Sequence, residues 1–297
     1  MRRRFVTLDV FTEKRFAGNP LAVVLEPDGL DTAAMQQIAR EFNLSETVFV
    51  QPPENKVHRA KLRIFTPGRE LPFAGHPTVG TAVLLARLDG GNDARDFIIE
   101  ENIGLVSCQT LHSGEGGHAT FDVPRLPARE GEASDAAKIA AALGISPGDI
   151  GFDGLACERW SAGNPFTIVP VRGIEVVARC RPDTARFEAA FGTGFAAPFI
   201  VSRETADPGN AYHTRMFAPG TGISEDPATG SAAAAFAGYL VAHASYKDGA
   251  HLVRIEQGYE MGRPSLMELT LKIGGGKLTS ASIGGSAVVV MEGTLEA

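Results

Sequence analysis

His76-Pro77-Thr78-Val79-Gly80-Thr81-Ala82 and Asp226-Pro227-Ala228-Thr229-Gly230-Ser231-Ala232 line up residue by residue, with His76 facing Asp226 and Thr81 facing Ser231. Two further pairs keep the same order: Ala17-Gly18-Asn19-Pro20-Leu21 returns as Ala162-Gly163-Asn164-Pro165-Phe166, and Phe65-Thr66-Pro67-Gly68 as Phe217-Ala218-Pro219-Gly220. Chance supplies any one such match; three in one order indicate an internal duplication. The residues after the first pair set the architecture. Thr78 to Leu88 and Ala228 to Val241 are apolar nearly all round, which a helix tolerates only when it is covered on every side. Short runs of Val, Ile, Phe and Thr read as strands between turn residues: Arg4 to Val10, Val57 to Phe65, Gly104 to His112 and His118 to Val123. The class expected is α+β: two pseudo-symmetric halves, each a curved, mostly antiparallel sheet or barrel wrapped around a central helix.

Smaller helices are expected at Thr32 to Phe42, Ala136 to Leu143 and Pro182 to Ala190. Val123-Pro124-Arg125-Leu126-Pro127 and the polar run to Ser134 read as the linker between halves. The last apolar alternation, Ser286 to Met291, fits either half. The length of 297 residues suits two domains or one large one. Hydrophobic residues at 44% and charged ones at 21% match an ordinary folded protein. A net charge of −7 argues against nucleic acid and anionic membrane as partners and leaves a small molecule or a protein. Cys108, Cys157 and Cys180 form no CxxC pair and read as buried thiols in a reducing cytoplasm. After Met1-Arg2-Arg3-Arg4 the chain alternates rather than running apolar, so a first strand is expected there and not a signal peptide. Ala232 to Ala242 is too short to span a bilayer.

Both repeated helices begin with a polar residue, a proline and small residues, a helix-start pattern with proline at the first helical position. Asp226 there is a candidate acceptor for free N–H groups. Capping alone explains either segment taken singly. Taken as a duplicated pair, the two amino ends are expected to face one cleft, where unbonded N–H groups and dipole ends attract a carboxylate or phosphate, with Gly75, Gly80 and Gly230 letting a ligand approach the backbone. The third element is Asn43-Leu44-Ser45-Glu46-Thr47-Val48-Phe49-Val50, a carboxylate at the mouth of an apolar strand. Packed against Phe42, Leu44 and Phe49, Glu46 would have a raised pKa and could both take and give a proton; as a solvated strand-end residue it would do neither.

Ser45-Glu46-Thr47-Val48-Phe49, Gly75-His76-Pro77-Thr78-Val79-Gly80 and Glu225-Asp226-Pro227-Ala228-Thr229-Gly230-Ser231, together with Gln257-Gly258 and Gly262-Arg263-Pro264-Ser265, resemble the phenazine-biosynthesis isomerase family, the PhzF-like proteins. The likeness runs from about Val6 to Gly293. It implies a diaminopimelate epimerase-like fold with the active site between the halves and the final strand returned to the first, giving halves of 1–125 with 286–297, and 126–285. It also implies roles: Glu46 as general acid/base, His76 and Asp226 as the polar pair at the helix starts, Ser231 as the hydroxyl beside them, and Gly75, Gly230, Ser45 and Thr229 as substrate-binding residues. In the family's characterised enzyme, acting on trans-2,3-dihydro-3-hydroxyanthranilate, the glutamate takes the proton at C3 and returns it at C1. No metal or organic cofactor is implied, and a homodimer is. One base suffices for a proton shuttle on one ring face, whereas inversion needs two opposed bases. The fold's cysteine epimerases place thiols where His76 and Asp226 stand, and no cysteine lies near either.

Other signals read as structural. Gly274-Gly275-Gly276-Lys277 lacks the Ser or Thr of a phosphate loop and suits a hairpin turn. His112 and His118 flank a turn without further metal ligands, and Trp160 suits packing. Arg263 suits a structural salt bridge as well as an acidic substrate. Asn19 and Asn164 suit turns that satisfy their own backbone. The reading reached is a cytoplasmic, cofactor-independent isomerase for a small carboxylate-bearing substrate, with Glu46 as shuttle. A binding module without turnover and an epimerase or racemase pairing Glu46 with Asp226 or His76 are the rivals.

Overall fold

A computed structural model describes residues 1–91, 93–192, 197–219 and 223–297, so Gly220 of the second Phe-x-Pro-Gly repeat lies outside the described residues. The chain divides into two compact units, Met1–Pro124 with Ile283–Ala297, and Arg125–Ser282.

In the first unit, β1 (Arg2–Val10) pairs antiparallel with β2 (Asn19–Leu25). Helix α1 (Thr32–Phe42) is capped by Asp31, which accepts from Ala34 N at 2.8 Å, and stops at Asn43 in the left-handed region. Strand β3 (Glu46–Gln51) lies parallel to β2, and β4 (Ala60–Phe65) antiparallel to β3, with the short β5 (Glu70–Leu71) beside β4. Helix α2 (Gly75–Asp89) leads to β6 (Ala94–Glu101), parallel to β4, then β7 (Gly104–Ser113) and β8 (Gly116–Asp122). The chain's C-terminal stretch pairs with both β8 and β1, Val10 opposite Ala287. Among the described residues this closes a ring in which β1, β2, β3, β4, β6, β7, β8 and that stretch each have two neighbours, so a barrel rather than an open sheet removes the free edges. Helix α2 fills it: every residue from Gly75 to Ala86 is buried, and the helix touches β1, β2, β3, β7 and β8.

The second unit repeats the pairing plan. It holds β9 (Ala128–Arg129), α3 (Ala136–Leu143), β10 (Glu158–Ser161), β11 (Pro165–Pro170), α4 (Ile174–Arg179), α5 (Thr184–Phe191), β12 (Ala197–Ser202), β13 (Tyr212–Ala218), β14 (Ile223–Asp226), α6 (Gly230–His243), β15 (Gly249–Gln257), β16 (Ser265–Gly274) and only the start of β17 (Lys277–Glu296). Where the first unit has β2 parallel to β3 and β4 parallel to β6, the second has β11 parallel to β12 and β13 parallel to β15. Helix α6 is buried from Ala232 to Leu240 and touches β9, β10, β11 and β16, so the sheet curves round it. Strand β17 begins as the hairpin partner of β16 and ends as the closing strand of the first unit.

The duplication extends to side chains. Arg63 on β4 grips Glu70 at 2.8 and 2.7 Å and lies over Phe65; Arg215 on β13 grips Glu225 at 2.7 and 2.9 Å and lies over Phe217. The register is the same, Phe65 opposite Glu70 and Phe217 opposite Glu225.

Three expectations need correction. The strand expected from Val57 begins at Ala60, because the loop before it is held instead by Glu100, which accepts from Glu54 N, Asn55 N and His58 Nδ1. The polar linker contains β9, which pairs with β10. Gly80 is a packing residue rather than an opening for a ligand: a Cβ there would stand 2.6 Å from Val10 Cγ2 and 2.7 Å from Leu21 Cδ2. Gly80→Ala is therefore expected to destabilise the fold by about 1–3 kcal/mol despite alanine's better helix propensity, measured by urea denaturation; a gain in stability would contradict this packing.

The Gly275 and Gly276 N–H groups of the glycine-rich turn donate to Asp248 at 3.1 Å each, as befits a hairpin turn. Trp160 donates to Glu158 at 2.8 Å and packs where a Cβ on Gly238 would meet it at 2.5 Å. The cysteines are free thiols. Among the described residues, no helix is long and apolar enough to cross a membrane, and no group of three or more His, Cys, Asp or Glu is placed to hold a metal ion.

Candidate active site

In the first unit, strand periodicity separates Glu46 from the aromatic residues expected around it. Phe49 points to the α1 side of β3, in a cluster with Val24, Met35, Ala39 and Phe65 that Phe42 also joins. Glu46 is an odd number of residues away and so points to the opposite face, the side of α2. There it meets His76, the second residue of α2: Oε2 stands 3.3 Å from Nε2, with side-chain exposures of 12% and 5%. On the other edge of the ring, Asn19 Nδ2 lies 3.2 Å from His76 Nδ1. Burial pushes the imidazole down to about 3, so the ring is neutral at ordinary pH. With Asn19 donating to Nδ1, the ring's single proton sits on Nε2, on the side of Glu46, where the two groups are in contact at 3.3 Å without a hydrogen bond between Nε2 and Oε2.

Asn19 is the residue sequence reasoning set aside. It is fully buried at the start of β2, and its amide serves His76 rather than only its own turn. The repeated Ala-Gly-Asn-Pro was the available signal. Gly18 makes the approach possible: at φ 65°, a Cβ would lie 2.3 Å from Val10 O. Ser45 precedes β3, half-buried, and Gly75 is the buried first residue of α2. Pro77 is the third helical residue rather than the first, a place where its missing N–H still breaks no bond.

In the second unit the homologous segment is not helical. Helix α6 starts at Gly230 with Thr229 as its N-cap, so Asp226 closes β14 and Pro227 lies outside the helix. Gln257, the last residue of β15, accounts for the difference. Its Nε2 donates to Asp226 O at 2.7 Å and to Thr229 Oγ1 at 3.1 Å, while its Oε1 accepts from Thr229 N at 3.2 Å. These bonds satisfy backbone groups that a further helical turn would have used. Thr229 Oγ1 donates to Asp226 Oδ2 at 2.6 Å, and both residues are buried. Gly230 is buried as the first residue of α6, and Ser231 is half-buried as the second. Gly258 permits the tight passage beyond Gln257: with φ 79°, a Cβ would meet Arg263 O at 2.4 Å and Pro227 O at 2.7 Å.

One strand position before Gln257, Glu256 anchors a charged network. It accepts from Asp207 N at 3.2 Å and Asn210 Nδ2 at 2.6 Å, and from His213 Nδ1 at 2.7 Å, while His213 Nε2 reaches Glu260 at 2.9 Å. Burial alone would depress the His213 ring, but the bonds to Glu256 and Glu260 outweigh it and hold the pKa at about 9. A folded value above the ordinary 6.5 means that this stabilisation is fully present below pH 6.5 and is lost as pH rises through about 9. The difference in unfolding free energy between the parent protein and His213→Gln is expected to shrink by about 2–3 kcal/mol over that window in urea titrations; a difference independent of pH would refute the charged assignment.

The model of the family described as phenazine biosynthesis-like proteins, PhzC-PhzF, matches residues 8–293. The chain belongs to this family. A trans-2,3-dihydro-3-hydroxyanthranilate isomerase of Pseudomonas fluorescens is 34% identical over 292 residues, covering 98% of each chain. An uncharacterized isomerase of Mesorhizobium japonicum is 50% identical over 297 residues, covering 99% of this chain and 98% of the other. The crystal structure of a Bacillus anthracis PhzF-family protein superposes with a TM-score of 0.90 over the whole of both chains at 28% identity. Of the residues singled out from the sequence, the first unit brings Glu46 against His76, and the second brings Asp226 against Thr229.

Proposed function

We propose that this PhzF-family isomerase moves a proton between carbons of a small carboxylate-bearing substrate through Glu46, as expected for a trans-2,3-dihydro-3-hydroxyanthranilate isomerase. The supporting observation is the buried contact of Glu46 with a neutral His76. In this reading the Glu46 carboxylate takes a proton from a substrate carbon and returns it to another carbon on the same face. The His76 ring lies against the carboxylate at 3.3 Å and bounds its position, and the amino end of α2 favours the substrate's negative charge. Asp226 and Ser231 enter the proposal through their motif, as polar contacts for substrate.

Racemisation with His76 as a second base fits poorly. A ring held near 3 binds no proton at neutral pH and is a weak acceptor. The test is incubation with trans-2,3-dihydro-3-hydroxyanthranilate in heavy water, with mass analysis of substrate and product. Rearranged product, labelled to the extent that the shuttled proton exchanges with solvent, is expected; recovery of unrearranged, unlabelled substrate from this and related cyclic carboxylates would overturn the reading.

A further inference from the structure

The duplicated pairing places Ile99-Glu100-Glu101 at the end of β6 where the second unit has Ile255-Glu256-Gln257 at the end of β15. Ala60 stands opposite Ile99 and Lys61 opposite Glu100; Tyr212 stands opposite Ile255 and His213 opposite Glu256. The first members of each pair behave alike, Glu100 accepting from the backbone N–H groups of Glu54 and Asn55, and Glu256 from those of Ala206 and Asp207. Glu101 is therefore the counterpart of Gln257, the carboxamide that holds the start of α6.

Glu101 meets the start of the other central helix. Its Oε1 lies 2.7 Å from Thr78 Oγ1, and Thr78 Oγ1 lies 2.8 Å from Ala74 O, the carbonyl of the residue capping α2. A threonine hydroxyl has one proton and cannot donate to both oxygens. Both bonds form together only when Thr78 donates to Ala74 and Glu101 supplies a proton of its own to Thr78. A protonated carboxyl has the shape of a carboxamide and, like it, one donor arm and one acceptor arm.

We propose that Glu101 is held as a neutral carboxylic acid donating to Thr78 Oγ1, and that it is a positioning residue which sets the first turn of α2 and so the place of His76 beside Glu46. The surroundings agree. Burial pushes Glu101 up to about 8 although Thr78 pulls the other way, and among the described residues its Oε2 has no hydrogen-bond partner that would compensate a charge. The facing groups offer no cation to spare. From β7, Cys108 is a thiol that burial keeps protonated, with Asp122 of β8 acting on it; Glu100 adjoins on β6 itself. Glu54, His58 and Lys61 line the same cavity as Glu101, with Lys61 paired to Glu54 and His58 to Glu100. The bearing on catalysis rests on the reading of Glu46 as shuttle; the proton on Glu101 does not.

Infrared spectra over a pH series test the proton, and nitrogen-15 resonances of the histidine rings test the positioning, neither requiring turnover. The unaltered protein is expected to show a neutral-carboxyl stretch at pH 7 that fades as pH passes about 8 and is missing from Glu101→Gln. The His76 resonances, identified by their loss in His76→Gln, are expected to shift over the same interval, and to stay put in Glu101→Gln and in Thr78→Val, which keeps the infrared band but breaks the link. Absence of the band, a His76 shift that survives in either variant, or failure of Glu101→Gln to fold would overturn the proposal, since a carboxamide presents to Thr78 Oγ1 the same donor arm as the neutral acid. Failure of the isomerase reading would appear separately, as absence of turnover with these spectra unchanged.

Discussion

Glu46→Gln is expected to lower isomerase turnover by about 10²–10⁴-fold, the range over which a positioned acid/base accelerates a proton transfer. Glutamine keeps the shape of the side chain and can fill the same 3.3 Å contact with His76, so the surroundings of β3 and α2 are retained. What it lacks is the ability to take a proton from carbon and give it back. Stability should change by no more than about 0.5 kcal/mol, as for a substitution that leaves packing intact. The readout pairs heavy-water exchange with steady-state kinetics. If turnover fell less than tenfold, Glu46 would not be the group that carries the proton. Asn19→Ala should act more mildly and by another route: the ring tautomer is released, so activity falls while the carboxylate remains.

Arg215→Ala is expected to cost about 3–5 kcal/mol of stability, because it removes one member of a buried, fully engaged pair. The guanidinium, 5% exposed, forks onto Glu225 and spends its remaining nitrogen on the carbonyls of Val177, Ala178 and Cys180 at the end of α4. Removal leaves a half-buried carboxylate without its cation and takes one of two donors from each carbonyl, Val177 O keeping Cys180 N and the other two keeping Arg181 Nη1. Arg215→Lys should recover only a small part, since an ammonium cannot make the forked contact and reach the carbonyls together. The repeat supplies an internal control. Arg63 holds Glu70 in the same register but is 18% exposed, with its partner at 24%, so Arg63→Ala should cost about 1–2 kcal/mol. Equal losses for the two, measured by urea denaturation, would show that burial does not govern the difference.

These pairs illustrate what a linear reading finds and what it passes over. The match of Phe65-Thr66-Pro67-Gly68 to Phe217-Ala218-Pro219-Gly220 marks the right place, and the arginine two residues before each phenylalanine belongs to the same repeat. Its partner is on another strand, however, and only the pairing of β4 with β5 and of β13 with β14 reveals it. The two central helices were legible because a helix with no polar face has one stable environment, complete enclosure. Helix α4 was missed because Ile174-Glu175-Val176-Val177-Ala178-Arg179 is short and rich in β-branched residues, and its end is held by Arg215 from outside.

At the candidate site the sequence named Glu46 and His76 through their motifs, and their environments were less legible. The apolar neighbours of Glu46 along the chain suggested a desolvating wall, yet alternation along β3 turns Phe49 away, and the neighbour that matters is a histidine on α2. Likewise the aligned His76 and Asp226 occupy different local structures, one inside a helix and one at a strand end, because Gln257 competes for the backbone groups that would have extended α6.

The sequence by itself determined the duplicated plan, the two enclosed helices and the residues of the family motifs, all of which are written in local composition and spacing. Tertiary structure alone decided which hydrogen-bonding group meets which: Asn19 with His76, Glu101 with Thr78, Gln257 with Asp226 and Thr229, Arg215 with the end of α4. The reason is physical. Burial of apolar surface is non-directional and leaves its trace in periodicity along the chain, whereas a hydrogen bond or a proton's location depends on distances of a few tenths of an ångström between residues far apart in sequence, and those distances exist only once the chain has folded.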